Sequence, residues 1–157
     1  MRARELAVEY PTVTPADSAL DAARLLAGQG LPGLVVVDAR RRAVAVIPAS
    51  RLLGRIVPPH VRDDPTLARV YDERHADLLC ARLADRTVTD LLEDERTPFP
   101  VVGPDATVME IASLMADAHS PVVAVSDDEH RPEKGALIGV ITTVHLLTRL
   151  LPASGDA

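Results

Sequence analysis

Residues 137–147, LIGVITTVHLL, run from an apolar, β-branched segment through two threonines into the spacing of a helix. Residues 43–53, AVAVIPASRLL, are a looser copy of the same pattern, at an offset of 94 (137 − 43). A strand that turns straight into a helix, twice, points to an internal repeat, whose remaining parts should also match upstream. They do. Residues 10–38, YPTVTPADSALDAARLLAGQGLPGLVVVD, lie without a gap over residues 99–127, FPVVGPDATVMEIASLMADAHSPVVAVSD, at an offset of 89 (99 − 10). Pro11 meets Pro100, Pro15 meets Pro104, Pro32 meets Pro121 and Asp38 meets Asp127. Tyr10 and Phe99, two of only three aromatic residues, also coincide. The five-residue difference between the offsets falls in the turn before each final strand, where DEHRPEKG is longer than ARRR and insertions are tolerated.

Each copy is readable locally. Ser18 with Asp21, and Thr107 with Glu110, set a hydroxyl three residues before a carboxylate, the capping-box signature of a helix start. Ala19, Ala22, Ala23 and Leu26, and Val108, Ile111, Ala112 and Met115, then follow the i, i+3, i+4, i+7 spacing of one buried helical face. LVVV and VVAV read as short buried strands, AVAVI and LIGVI as their equally apolar neighbours. The predicted order is short strand, helix, strand, strand, helix, twice over, a mixed α/β class. ARELA (3–7) and RTVTDLL (86–92) are brief helical lead-ins.

This divides the chain into repeat 1 (1–53), a helical insertion (54–85), repeat 2 (86–151) and a frayed tail (152–157). In the insertion, Pro58-Pro59 breaks the preceding helix and Asp63-Asp64-Pro65 opens a new one. Leu67, Val70, Leu79 and Leu83 are its expected inward positions. Its role is open between covering a cleft and extending a dimer interface.

Composition narrows the function. A net charge of −6 with interspersed signs argues against a nucleic-acid surface, and scarce aromatics argue against base stacking. No apolar run approaches the ~20 residues that span a bilayer, and the amino terminus has no signal-peptide pattern. Cys80 cannot pair within the chain, so a reducing cytoplasmic setting is expected, with the thiol buried in an apolar helix. The five histidines show neither i, i+4 pairing nor a CxxC partner, so no metal site is expected. No nucleophile–base or acid–base constellation can be assembled, and no catalytic residue is assigned.

A strand ending in GVIT, a helix directly after it, an upstream SPVVAV strand and the TVTDLL lead-in, all within a duplication, resemble the cystathionine-β-synthase (CBS) domain, whose tandem pairs form Bateman modules. The resemblance implies two β-α-β-β-α repeats packed through their sheets with pseudo-two-fold symmetry, dimerising into flat discs. It also implies a non-catalytic regulatory role, with an adenosine-containing ligand such as AMP, ADP, ATP or S-adenosylmethionine held between the repeats. No cofactor is required. Carried onto this chain, the adenosine cleft takes in Phe99, Val101, Ser120, Pro121, Val122, Thr142, Thr143, His145 and Arg51.

Thr142, with the N–H groups of a helix start, suits a phosphate. Binding members of the family place an Asp three residues later, where this chain has His145; the first copy offers Pro48 and Arg51 instead. Losing such a carboxylate weakens a nucleotide by about 1.5–3 kcal/mol. His145 can recover part as a neutral acceptor, and Arg51 can reach an anionic phosphate. Each of these residues also has a plain structural reading: Thr142 and Thr143 as helix caps, His145 and Arg51 as surface or interface groups, Tyr10 and Phe99 as core beside the cleft. Two functions follow: a nucleotide sensor acting in trans on a separate regulated protein, or a dimerisation scaffold with degenerate sites. A homodimer is expected in both.

Overall fold

The computed structural model of the protein describes residues 1–92 and 99–153. Of the expected tail, residues 154–157 lie outside the described residues. The first copy forms β1 (Thr12–Val13), α2 (Ala19–Gln29), β2 (Gly33–Val37), β3 (Ala43–Pro48) and α3 (Ala49–Ile56), preceded by α1 (Ala3–Leu6). After the insertion and α6 (Val88–Leu92), the second copy repeats the order as β4 (Val101–Val102), α7 (Val108–Ala118), β5 (Val122–Ser126), β6 (Leu137–Thr142) and α8 (Thr143–Leu150). The mixed α/β class and the strand-helix-strand-strand-helix order are as the sequence predicts.

Each copy makes a three-stranded sheet in which the middle strand pairs parallel with the short strand and antiparallel with its successor. The duplication extends to irregularities: the register shifts between Val36 and Val37, and again at the equivalent Val125 and Ser126. Asp38 and Asp127 explain their own coincidence. Asp38 Oδ1 accepts from the Arg40 and Arg42 N–H groups, and Asp127 Oδ1 from the Ala136 N–H, so each carboxylate closes its hairpin turn.

Period-two alternation on the middle strands decides how the sheets pack. Leu34 and Val36 face α2 and α3, while Val35 and Val37 face the other sheet. In the second copy Val123 and Val125 face α7 and α8, and Val122 and Ala124 meet the first sheet. Both middle strands are therefore buried on both faces, and each fully buried valine contributes roughly 1.5–3 kcal/mol. The following strands lie at sheet edges and are only partly covered: Val44 and Ile138 are exposed.

The lead-in helices are exchanged. Ala3 and Leu6 of α1 sit in the second repeat's helix-side core, and Val8 bridges to Val140 on β6. Val88 and Leu91 of α6 join the first repeat's core, with the Val88 N–H donating to Asp17 O at 2.8 Å. Gly139 has the reason for its residue type here, since a Cβ would stand 2.7 Å from Ala7 Cβ. Local periodicity contains nothing about which repeat a four-residue helix docks on.

The insertion corrects two expectations. Of its four predicted inward residues Leu83 is buried and Leu79 partly so, whereas Leu67 and Val70 are exposed. Short pieces, α4 (Pro59–Asp63), a 3-10 turn over Pro65–Val70, α5 (Glu73–Ala81) and a second turn over Arg82–Asp85, break the periodicity before one stripe can form. Cys80 is exposed, not buried. On α5 it lies about 100° round from Leu79, which leans with Leu83 toward the first repeat.

Candidate functional site

Both copies send the last strand directly into a helix, and both anchor that junction to the proline that precedes the middle strand. The Ala49 N–H donates to Pro32 O at 3.1 Å, and the Thr143 N–H to Pro121 O at 3.1 Å. Thr143 Oγ1 donates to the same Pro121 carbonyl. Thr142 is the N-cap of α8, its Oγ1 accepting from the His145 N–H at 3.2 Å. Two N–H groups that were expected to face a phosphate are thereby satisfied within the protein, which makes this helix start a weaker anion site than its sequence suggests. Thr142→Val removes the cap, so we expect a stability loss of about 1 kcal/mol in a denaturant titration, with or without ligand.

A groove of about 760 Å³ runs between the two helix starts. Pro32, Pro48, Ala49 and Ser50 line it from the first repeat; Ser120, Pro121 and Thr143 face them, with Met115, Leu146 and Leu147 forming an apolar wall. Its lining contains both members of the related pairs Pro32/Pro121 and Ala49/Thr143, so it crosses the pseudo-two-fold axis. Ser120 Oγ is engaged locally, donating to Val122 O at 2.7 Å.

The remaining predicted residues separate. Arg51, Phe99 and Ser120 meet around a void of only about 30 Å³, with room for about one water. A separate open cavity of about 540 Å³ has Tyr10, Gln29 and Arg41 in its wall. Tyr10 donates its hydroxyl to Gly33 O, and its pKa is raised by burial, partly opposed by that hydrogen bond. Thr142 and His145 line none of these three spaces. Val122 is fully buried between the sheets, and Val101 packs against the same layer.

His119 was not singled out in the sequence, yet it borders both the groove and the small void. It caps α7 in the left-handed region at φ 51°, where the aligned residue of the first copy is Gly30 at φ 61°. That alignment with a glycine at a helix end was the available signal. Among the described residues no cluster of three or more metal-ligating side chains comes together, and no helix is long and apolar enough to cross a membrane.

Two like modules, face to face across a pseudo-two-fold axis with a groove at their seam, define a tandem repeat pair. The CBS domain model matches residues 3–58 and 88–152, and the chain belongs to the CBS domain family. A CBS domain-containing protein of unknown function from Kribbella flavida DSM 17836 is 39% identical over 97% of this chain and 99% of that one, with a TM-score of 0.80. CBSX2 in complex with AMP shares the fold at 20% identity, 94% of each chain and a TM-score of 0.64. The CBS-pair protein CBSX2 from Arabidopsis thaliana does so at 20% identity, 94% of this chain, 92% of that one and a TM-score of 0.70. No curated protein matches the chain.

Proposed function

We propose that this protein is a non-catalytic, cytoplasmic regulatory CBS pair that takes an adenosine-containing ligand in the groove between its repeats and acts on a separate partner protein. Its working units are repeats 1–53 and 86–151, joined by the insertion 54–85. The groove carries the reading. Its volume lies within the ~300–1,000 Å³ of small-molecule sites, it is mostly apolar, and Ser50, Ser120, Thr143 and His119 place polar groups at its edge. The AMP bound by CBSX2 supports the ligand class at the level of a shared fold. We assign Ser120, Pro121 and Thr143 to the groove, Arg51 and Phe99 to the adjoining void, and Thr142 and His145 to shaping the start of α8.

A thermal-shift series with AMP, ADP, ATP, S-adenosylmethionine and NAD tests this. At about 100 times its dissociation constant a true ligand adds about 2.7 kcal/mol, so at least one compound should raise the melting temperature by several degrees. No response to any of them would favour a second reading, a dimerisation scaffold.

Specific features support that second reading as well. Pro48, Arg51 and His145 stand where a nucleotide-binding copy would offer a hydroxyl and carboxylates. In addition Leu53 of α3 and Val144, Leu147 and Leu151 at α8 are exposed, an apolar face suited to a second copy of the chain. Both readings include the homodimer, so light scattering should give twice the chain mass of 16.8 kDa.

A further inference from the structure

We infer that a second binding site, separate from the groove between the repeats, lies where the insertion meets the first repeat, and that it takes a small anion carrying several phosphate groups. A cavity of about 270 Å³ opens there between the end of α3, the start of α4 and the turn over Arg82–Asp85. Four arginines line it, Arg55, Arg62, Arg82 and Arg86, over an apolar floor that includes Leu79 and Leu83. Among the described residues no carboxylate lines it.

The concentration of charge is local and runs against the whole molecule, whose net charge is −6. Arg55 has an interaction of its own, but among the described residues no carboxylate pairs with Arg62, Arg82 or Arg86. The carbonyl end of α3 attracts cations, but it amounts to only about half an elementary charge, less than the charge that Arg62, Arg82 and Arg86 bring together.

The donor geometry selects the ligand. Arg62 of α4, Arg82 of the turn over Arg82–Asp85 and Arg86 border one space from separate parts of the chain, and guanidinium groups so placed suit several tetrahedral phosphate oxygens better than the single planar edge of a carboxylate. A concave site on an acidic chain also excludes a nucleic-acid backbone, which would need an extended basic surface. The anion is therefore a compact small molecule.

Sodium tripolyphosphate, which has neither adenine nor ribose, is the probe, titrated onto the full chain at constant ionic strength and read by thermal shift. We expect a saturable rise in melting temperature. In an Arg62→Gln/Arg82→Gln chain, whose altered residues are exposed and should leave the unliganded melting temperature within about 2 °C, the half-saturating concentration should rise at least tenfold. Thr143→Val, in the groove, should leave the tripolyphosphate response unchanged. A flat response, an equal response in the double variant, or an equal response to sulfate at matched ionic strength would overturn the site, and none of these outcomes bears on nucleotide binding in the groove.

Discussion

Val35→Asp is expected to leave no cooperatively folding protein. Val35 is fully buried in the layer where the two sheets meet, packed among residues such as Val46, Val122, Ala124 and Val140. A carboxylate there would be surrounded by apolar side chains from both repeats. Keeping it ionised costs several kcal/mol, and protonating it still leaves unpaired polar atoms in place of apolar packing. Domains of this kind are stable by only about 5–15 kcal/mol, so one such residue removes most of the margin. Far-UV circular dichroism during heating should show no cooperative transition. Native-like melting would mean that the sheets do not cover one another at Val35.

Leu6→Ala should lower stability by about 2–5 kcal/mol, or roughly 4–20 °C in melting temperature, large for a residue so near the amino terminus. Leu6 is fully buried, and its neighbours are Val102, Ile111, Val123 and Ile141 of the second repeat, not residues of the first. The exchanged lead-in makes a sharper prediction through a double-mutant cycle. Leu6→Ala combined with Ile111→Ala should depart from additivity by about 0.5–3 kcal/mol, while Leu6→Ala combined with Leu34→Ala should be additive within about 0.5 kcal/mol. The opposite pattern would place α1 on its own repeat.

These two residues also mark what the amino-acid sequence conveys. Val35 was legible: a run of β-branched residues in the middle of a duplicated unit has to be covered on both faces, and a second identical sheet is the available cover. Leu6 was not, because a four-residue helix has one turn of periodicity and can dock on either copy. The insertion failed for a related reason, since Pro59 and Pro65 cut it into pieces too short for periodicity to distinguish inside from outside, which left Cys80, Leu67 and Val70 exposed. The strand-to-helix junctions could be found from the repeat alone, while Ser120, Pro121 and Thr143, which line the groove, were named through the family resemblance. The grouping could not. Which cleft each residue faces depends on the rotation between the copies, and that rotation puts Arg51 beside Phe99 while leaving Thr142 to cap its own helix.

The central functional claim is that a ligand occupies the groove between the starts of α3 and α8, and Ser50 tests it most directly. Ser50 is exposed on the first-repeat side of that groove, so Ser50→Trp fills the space without disturbing the core. Isothermal titration with whichever adenosine-containing compound gives the largest thermal shift should show saturable binding to the wild-type chain and at least tenfold weaker binding to Ser50→Trp. Equal affinity in the two chains would contradict the placement of the ligand in this groove.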